Sequence, residues 1–509
     1  MRDDGFPVLV GVGQVTQDWQ PKDGPAPSPM GMAHLAALAA LKDANAALIP
    51  AIDCVMSVRT MGDSLPGKPA PQGACANPPR TLAALLGANP RRAIYGCAGG
   101  ETPQALLAEA CEMLHRKEAR CVLIASGEAM ATQRTAAHAG VELDWRATQD
   151  GPWEDRGFGE IFVSGQEIRH GISLPVQAYA LIEHALRARL GRTRSQHVAA
   201  MAQLLAPFSQ IAADNPFAQF RQVRSADFLA SMSPENYPLA DPYRKWLIAQ
   251  DRVNQGAAVL LMRAGEARAA GIREENFLYL HGQSEASEKR MTLRPDLSTS
   301  PALAGAIRAA LHSADLGIED IAYFDIYSCF PCAVFLAIEA MGLDWPTRDW
   351  TITGGLPFFG GPGNAYALHA IAEMAMRLRR DRAAFGLISA NGGFLSKQAI
   401  GIYGASAPKA WQPVSSVRLQ AELDAGPDML VMQGDGEALI ESYTAAQRPD
   451  GGAFACVIAR TRAGHRALAK ARKGDAETVR ALSAGTDPIG RAIQIEREGD
   501  DAYFRFAES

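Results

Sequence analysis

The chain has 509 residues, of which 48% are hydrophobic and 47 are glycine, with a formal net charge of −5. That length spans about three domains, and the composition is that of a soluble α/β protein with a large core, which excludes a disordered chain. The mild negative charge leaves no electrostatic footprint for nucleic acid, and 8 scattered cysteines suit free thiols in a reducing cytoplasm.

The opening MRDDGFPVLVGVGQ sets two acids before a short apolar run, unlike a signal peptide or a membrane span. The closing FRFAES carries no retention or peroxisomal signal, so a cytoplasmic protein with no membrane partner is expected. VLVGVGQVT (8–16) reads as a buried strand, and MGMAHLAALAALKDAN (30–45) as an Ala/Leu helix stopped by Asp-Ala-Asn. A shorter helix follows at 78–87, then a Gly-rich turn and a helix from Pro103 to about Lys117. CVLIASGEAM (121–130) reads as a strand. Residues 131 to about 250 are rich in Trp, Gln, Arg and Asp, with short helices, and read as a long functional excursion from the sheet. Strand-then-helix returns at 254–272, and FLYLHGQSE (277–285) starts a second α/β series. From about Ala410, DMLVMQGDG, ALIESYTAAQ, FACVIART, RAIQIERE and DAYFRFA read as a small, mostly β domain.

Two segments share one plan. ETPQALLAEACEMLHRKEARCVLIASG (101–127) and NAYALHAIAEMAMRLRRDRAAFGLISANGG (364–393) align at a constant offset of 264, pairing Glu109 with Glu373, Leu114 with Leu378, and Leu123-Ile124 with Leu387-Ile388. Each is a Gly-rich loop, an amphipathic helix, a basic turn and an apolar strand. So long a spacing predicts two similar α/β halves about a pseudo-twofold axis. The two loops would converge, each offering helix N–H groups to an oxyanion or phosphate. Plain strand-to-helix turn chemistry is the alternative reading of either loop alone.

These blocks resemble the thiolase superfamily, and most of all its type-1 thiolase-like proteins, relatives of the sterol-carrier-protein thiolases. The resemblance runs from residue 1 to about 405 through VGVGQVT, ASGEAMAT, NQGAAVLLM, DIYSCFPCAVFLAIEAMGL, TGGLPFFGGPGNAYALH and SANGGFLSKQAIGIYG. It implies a thiolase fold layered αβαβα. The N-terminal half would cover 1–272 with a loop domain at about 131–250, the C-terminal half 273–409, and an additional small β domain 410–509. It also implies acyl-CoA as partner, a coenzyme A thioester as substrate, no permanently bound cofactor or metal, and a homodimer.

Thiolase chemistry requires a cysteine nucleophile activated by histidine and a helix N-terminus, a second acid/base for the α-proton, and oxyanion holes. Anchored on Gln104-Ala105, the nucleophile position falls on Gly99, beside Gly100, and Cys97 stands two residues earlier. Thr102 reads as the N-cap and Pro103 as the first helical residue, which leaves Cys97 outside the first turn. The histidine position of Gly-His-Pro reads Gly360-Gly361-Pro362, and the second cysteine position reads Asn391-Gly392-Gly393. The block that is His-Asp-Cys-Phe in the sterol-carrier branch is Tyr327-Ser328-Cys329-Phe330.

The remaining candidates for catalysis are therefore Tyr327, Cys329, His369, Asn391 and Cys97, with Tyr403 beside Tyr327. Gly99, Gly100, Gly360, Gly361, Asn364 and Gly392 are expected to bind substrate. Tyr327 stands where some thiolase-fold aldolases carry tyrosine, and its plain alternative is a half-buried phenol. His369 is close enough in sequence to the vacated position to replace its imidazole. Cys329 and Cys332 form a CxxC without a second pair, which fits buried thiols better than zinc or redox work. Arg377, Arg379, Arg380 and Arg382 either complement a helix dipole or hold coenzyme A phosphates. Three functions follow: an acyl-CoA C-acyltransferase with a remodelled site, a retro-aldol lyase on a β-hydroxyacyl-CoA, or a non-catalytic acyl-CoA-binding protein.

Overall fold

The glycines of VGVGQ are there because a helix lies flat on them. Strand β1 (Pro7–Thr16) buries Val8, Leu9, Val10 and Val12, so both its faces are covered. A Cβ on Gly11 or Gly13 would collide with the carbonyl of Ala40 or Ala36 in the helix Pro29–Asp43. That helix starts where Ser28 accepts from the Gly31 N–H and Pro29 supplies a preset φ. The computed structural model describes residues 3–44, 47–64, 72–161, 163–447, 452–483 and 485–507. The helix stop expected at Asn45 and the terminal residues Met1, Arg2, Glu508 and Ser509 lie outside the described residues.

The first sheet contains β1, β2 (Cys54–Ser57), β3 (Arg92–Tyr95), β4 (Cys121–Ala129), β5 (Glu154–Asp155) and β6 (Asn254–Arg263), in the order β1-β6-β4-β2-β3-β5. The second contains β7 (Tyr279–Ser287), β8 (Ile321–Asp325), β9 (Phe385–Gly392) and β10 (Lys397–Gly404), in the order β7-β10-β9-β8. Two antiparallel pairings followed by a parallel one run through β1-β6-β4-β2 and again through β7-β10-β9-β8. The repeat is exact in register. The helices Thr102–His115 and Tyr366–Arg380 begin 264 residues apart, and so do β4 and β9.

Those two helices form the central layer. One core gathers Leu106, Leu107, Ile371 and Leu378 with Ile124 of the first sheet and Ile388 of the second. A second core packs Ala36, Ala40 and Leu82 on the outer face of the first sheet. A third joins the outer face of the second sheet to the inserted domain. This is the αβαβα layering of a thiolase fold.

The inserted domain differs from its expectation of short helices. It carries helices Pro175–Arg189 and Arg194–Asp214, of 15 and 21 residues. Residues Ala178 to Arg187 are all buried, so the first has no polar face to reveal its period, and Pro207 interrupts the second. The C-terminal domain is a closed barrel of β11 (Gly436–Gln447), β12 (Ala453–Arg460), β13 (Arg466–Lys470), β14 (Ala492–Glu498) and β15 (Asp501–Phe506), ordered β11-β12-β13-β15-β14. The segment DMLVMQGDG forms only a single bridge, Val431 to Arg466, while β13 and the helices Val417–Asp424 and Ala476–Ser483 went unread in the sequence. Buried charges fasten the barrel down. Arg466 donates to Met291 O at 3.2 Å and Glu441 Oε1 at 2.7 Å, and Arg187 grips Asp487 at 2.6 and 2.9 Å.

Candidate functional site

The Gly-rich loop after β3 meets the C-terminal half at Gly100. A Cβ there would collide with the Tyr327 hydroxyl and the Asn391 carbonyl, so the loop passes in direct contact with both residues. Thr102, expected as the N-cap, is instead the first residue of the helix, and Glu101 takes the cap position without capping it. The Thr102 hydroxyl turns back to donate to Cys97 O at 3.0 Å and lies 3.6 Å from Cys97 Sγ. Cys97 is thus tied to the helix start by a side chain, although it precedes the first turn.

Glu101 is the residue that sequence reasoning missed. Its carboxyl occupies the space left by two glycines, since a Cβ on either Gly99 or Gly392 would strike it. Oε1 lies 3.6 Å from Lys397 Nζ, and Oε2 is buried with no hydrogen-bond partner among the described residues. Burial raises its pKa above the ordinary carboxylate value, and Lys397 offsets only part of that shift. Lys397 also donates to Ala98 O at 3.2 Å. Its Nζ and Cys97 Sγ both come within 3.4 Å of the point where a Gly159 side chain would begin. Lys397 therefore sets a positive charge close to both the carboxyl and the thiol.

Burial, reinforced by Cys329 and Glu101, holds the Tyr327 phenol well above its usual pKa. Burial pushes the Cys329 thiol up to about 12, so it stays protonated at neutral pH. Asn391, a candidate for catalysis, does not leave its amide free. Instead its Nδ2 donates to the Tyr179 hydroxyl at 2.9 Å and lies 3.7 Å from Cys329 Sγ, while Oδ1 is buried with no hydrogen-bond partner among the described residues. Tyr179 reaches in from the inserted domain, stacked on Phe330 at 4.2 Å. Gly99, Gly100, Gly392, Tyr327, Cys329 and Asn391 are thereby brought together.

The other candidates go elsewhere. His369 does not replace the lost imidazole as a base. It is fully buried, with Nδ1 2.9 Å from Gln14 Oε1, and desolvation lowers its pKa to about 3. Gly360 faces Val253 and Gln255, and Gly361 donates to Gln250 O at 2.7 Å, so both pack the loop against the end of the inserted domain. Asn364 fastens Arg59 O and Ser64 Oγ, each at 2.8 Å. Tyr403 is fully buried and donates to Gln104 Oε1 at 2.5 Å. Arg379 pairs with Asp43 at 2.7 Å and Arg382 donates to Glu275 O at 3.0 Å, so these two cations hold the fold together. All eight cysteines are free, and no cluster of metal-ligating side chains occurs among the described residues.

Cys97 opens on a cavity of about 310 Å³ whose walls include Thr102, Glu109, Arg156, Glu285 and Ile400. A family model described as the thiolase-like protein type 1 additional C-terminal domain matches residues 418–500. The crystal structure of a monomeric SCP2-thiolase like protein type 1 from Mycobacterium smegmatis is 35% identical over 100% of both chains, with a TM-score of 0.84. The chain belongs to the type-1 thiolase-like proteins.

This type-1 thiolase-like chain shares its fold with more distant structures. An acetyl-CoA acetyltransferase from Syntrophomonas wolfei is 16% identical with a TM-score of 0.57, covering 79% of this chain and 99% of that one. The dimeric peroxisomal thiolase of Saccharomyces cerevisiae is 14% identical with a TM-score of 0.58, covering 79% and 98%. The Ltp2-ChsH2(DUF35) aldolase is 15% identical with a TM-score of 0.57, again covering 79% and 98%. No curated protein matches. Among the described residues no helix is long and apolar enough to cross a membrane. The signal that could have found Glu101 was the pairing of Gly99 with Gly392, two gaps far apart in sequence that together make room for a side chain. Lys397 and Tyr179 gave no local signal.

Proposed function

We propose that this type-1 thiolase-like chain acts on acyl-CoA thioesters by proton transfer, as a retro-aldol lyase on a β-hydroxyacyl-CoA, with Glu101 and Tyr327 as its acid/base pair. The observation that carries this reading is the convergence of a buried carboxyl and a buried phenol on the Gly99-Gly100 loop, with His369 held neutral on Gln14. Ionised Glu101 takes the proton of the β-hydroxyl. The carbon–carbon bond breaks and its electron pair moves into the thioester as an enolate. Tyr327 then protonates the α-carbon and is recharged from Glu101, which releases a carbonyl compound and the shortened acyl-CoA. A carboxyl with a raised pKa is a stronger base, and a phenol held above its usual value remains a donor.

Acyl transfer through Cys97 is the second reading, favoured by one observation: its sulfur borders an open cavity close to Lys397. Two measurements separate the readings. Incubation with a 3-hydroxyacyl-CoA releases a shortened acyl-CoA, detected by mass spectrometry, and Cys97→Ala preserves that release. An acetyl adduct in the intact mass, lost in Cys97→Ala, sinks the lyase reading. Thermal stabilisation by acyl-CoA without turnover in any assay supports the non-catalytic binder instead.

A cytoplasmic location belongs to the same proposal. The expected homodimer belongs to it as well, although the Mycobacterium smegmatis relative is monomeric. Sedimentation of the purified chain reads its mass directly.

A further inference from the structure

A single turn of the C-terminal half seats Glu101. Between β9 and β10 the chain reverses through residues 392–397, and both ends of that turn touch the carboxyl. At one end a Cβ on Gly392 would strike Glu101 Oε2. At the other, Lys397 Nζ lies 3.6 Å from Oε1. A shift of the turn therefore moves two walls of the Glu101 pocket at once.

The turn needs outside support to keep its shape. Leu395 is 1% exposed and stands at φ +54°, in the left-handed region that residues other than glycine rarely adopt. Such backbone persists only where its surroundings over-determine it. Arg294 ties the two neighbours, donating to Phe394 O at 2.9 Å and Ser396 Oγ at 3.0 Å. The Leu395 N–H itself is met by the inserted domain, where the Tyr179 hydroxyl accepts it at 2.9 Å. The same oxygen accepts from Asn391 Nδ2 at 2.9 Å, one residue before the turn. One buried phenol thus satisfies donors in the middle and on the flank of the turn. The phenol is itself fixed. Its ring stacks on Phe330 at 4.2 Å, and its backbone carbonyl accepts from the Tyr243 hydroxyl at 3.1 Å.

We infer that Tyr179 is a positioning residue for the proposed proton transfer: its hydroxyl fixes the 392–397 turn and, through Gly392 and Lys397, the seat of Glu101. The link to turnover rests on the Glu101 reading given above; the hold on the turn does not. Tyr179 acts through the backbone of the turn rather than on the reacting atoms, so its loss slows chemistry without weakening substrate binding.

The test combines hydrogen exchange of the full chain, read by mass spectrometry on overlapping peptides, with steady-state turnover of a 3-hydroxyacyl-CoA. In the wild type the Leu395 amide exchanges as slowly as the paired amides of β9. Tyr179→Phe keeps the ring on Phe330 and removes only the acceptor. It speeds exchange across 391–397 by about tenfold, the effect of leaving a buried N–H unmet, while peptides from 175–189 and from the barrel keep their wild-type rates. It lowers kcat by about tenfold to a hundredfold and leaves KM within about threefold. A merely structural phenol would instead lower the urea midpoint and loosen the inserted domain as a whole, with no local change at 391–397 and no split between kcat and KM; that result overturns the inference. Should Tyr179→Phe fail to fold, the wild-type measurement still decides, because a Leu395 amide that exchanges like an open loop overturns it too. Glu101→Gln keeps the two claims apart. If that variant turns over as the wild type does, the Glu101 reading fails, and exchange at 391–397 alone then decides whether Tyr179 fixes the turn.

Discussion

The loop at 96–101 and its counterpart at 360–365 stand 264 residues apart in equivalent places, yet they are filled in opposite ways. In the first, the loop carries the acid. Glu101 fits against Gly392 at the end of β9. In the second, the strand end carries it. Glu128 near the end of β4, the pseudo-equivalent of Gly392, presses on Gly363, the pseudo-equivalent of Gly99. Each junction thus has one buried carboxyl and glycine opposite it. They differ in surroundings. Glu101 lies beside Lys397, Tyr327 and the cysteine loop, whereas Glu128 accepts from the Met61 N–H at 2.6 Å, close to Asn364. Under the proposed function, one internal repeat yields a reactive corner and a structural one, and the neighbours rather than the carboxyl decide which.

The largest expected contrast is in turnover. Glu101→Gln lowers turnover on a 3-hydroxyacyl-CoA by about 10²–10⁴-fold, the usual worth of a positioned acid/base. Wild-type activity rises with pH through the raised pKa of Glu101, because the ionised form is the base, and the variant flattens that profile. The matching change at the other junction acts on stability. Burial raises Glu128 to about 8. Its protonated form is the one the fold accepts, so its contribution is complete below the ordinary value of 4.5 and is lost as pH rises through about 8. Urea unfolding of the wild type then weakens over that window by about 1.4 kcal/mol per unit at most, and Glu128→Gln removes the slope.

Smaller effects separate the two loops themselves. Gly100→Ala drives a methyl into Tyr327 and Asn391 and costs about 1–3 kcal/mol, read by urea midpoint. Gly361→Ala meets Gln250 O at 3.3 Å and costs less than about 1 kcal/mol. Smallest is His369→Gln, which keeps turnover within about threefold because the imidazole is already neutral and bound to Gln14. A loss as large as that of Glu101→Gln would move the chemistry to the second loop.

Much of this architecture was legible. The offset between Leu114 and Leu378 announced two halves, because a buried amphipathic helix and the strand after it leave a periodic mark. The long inserted helices were not, because Ala178 to Arg187 are buried all round and show no face. Of the site, Gly100, Tyr327 and Asn391 came together as their motif positions suggested. Glu101 escaped because an acid ahead of a Pro-started helix reads as an ordinary surface residue until glycines from the other half are folded over it. His369 misled for the converse reason: a helical histidine near a vacated position looks functional until its burial against Gln14 and Phe359 is known.

Exchange of α-hydrogens is the most direct probe of the proposed chemistry. The chain is incubated with an acyl-CoA in D2O and deuterium at the α-carbon is followed by mass spectrometry. Wild type and Cys97→Ala incorporate deuterium at matching rates, and Glu101→Gln incorporates none above the uncatalysed background. Exchange that persists in Glu101→Gln, or that disappears in Cys97→Ala, contradicts a Glu101-centred proton transfer.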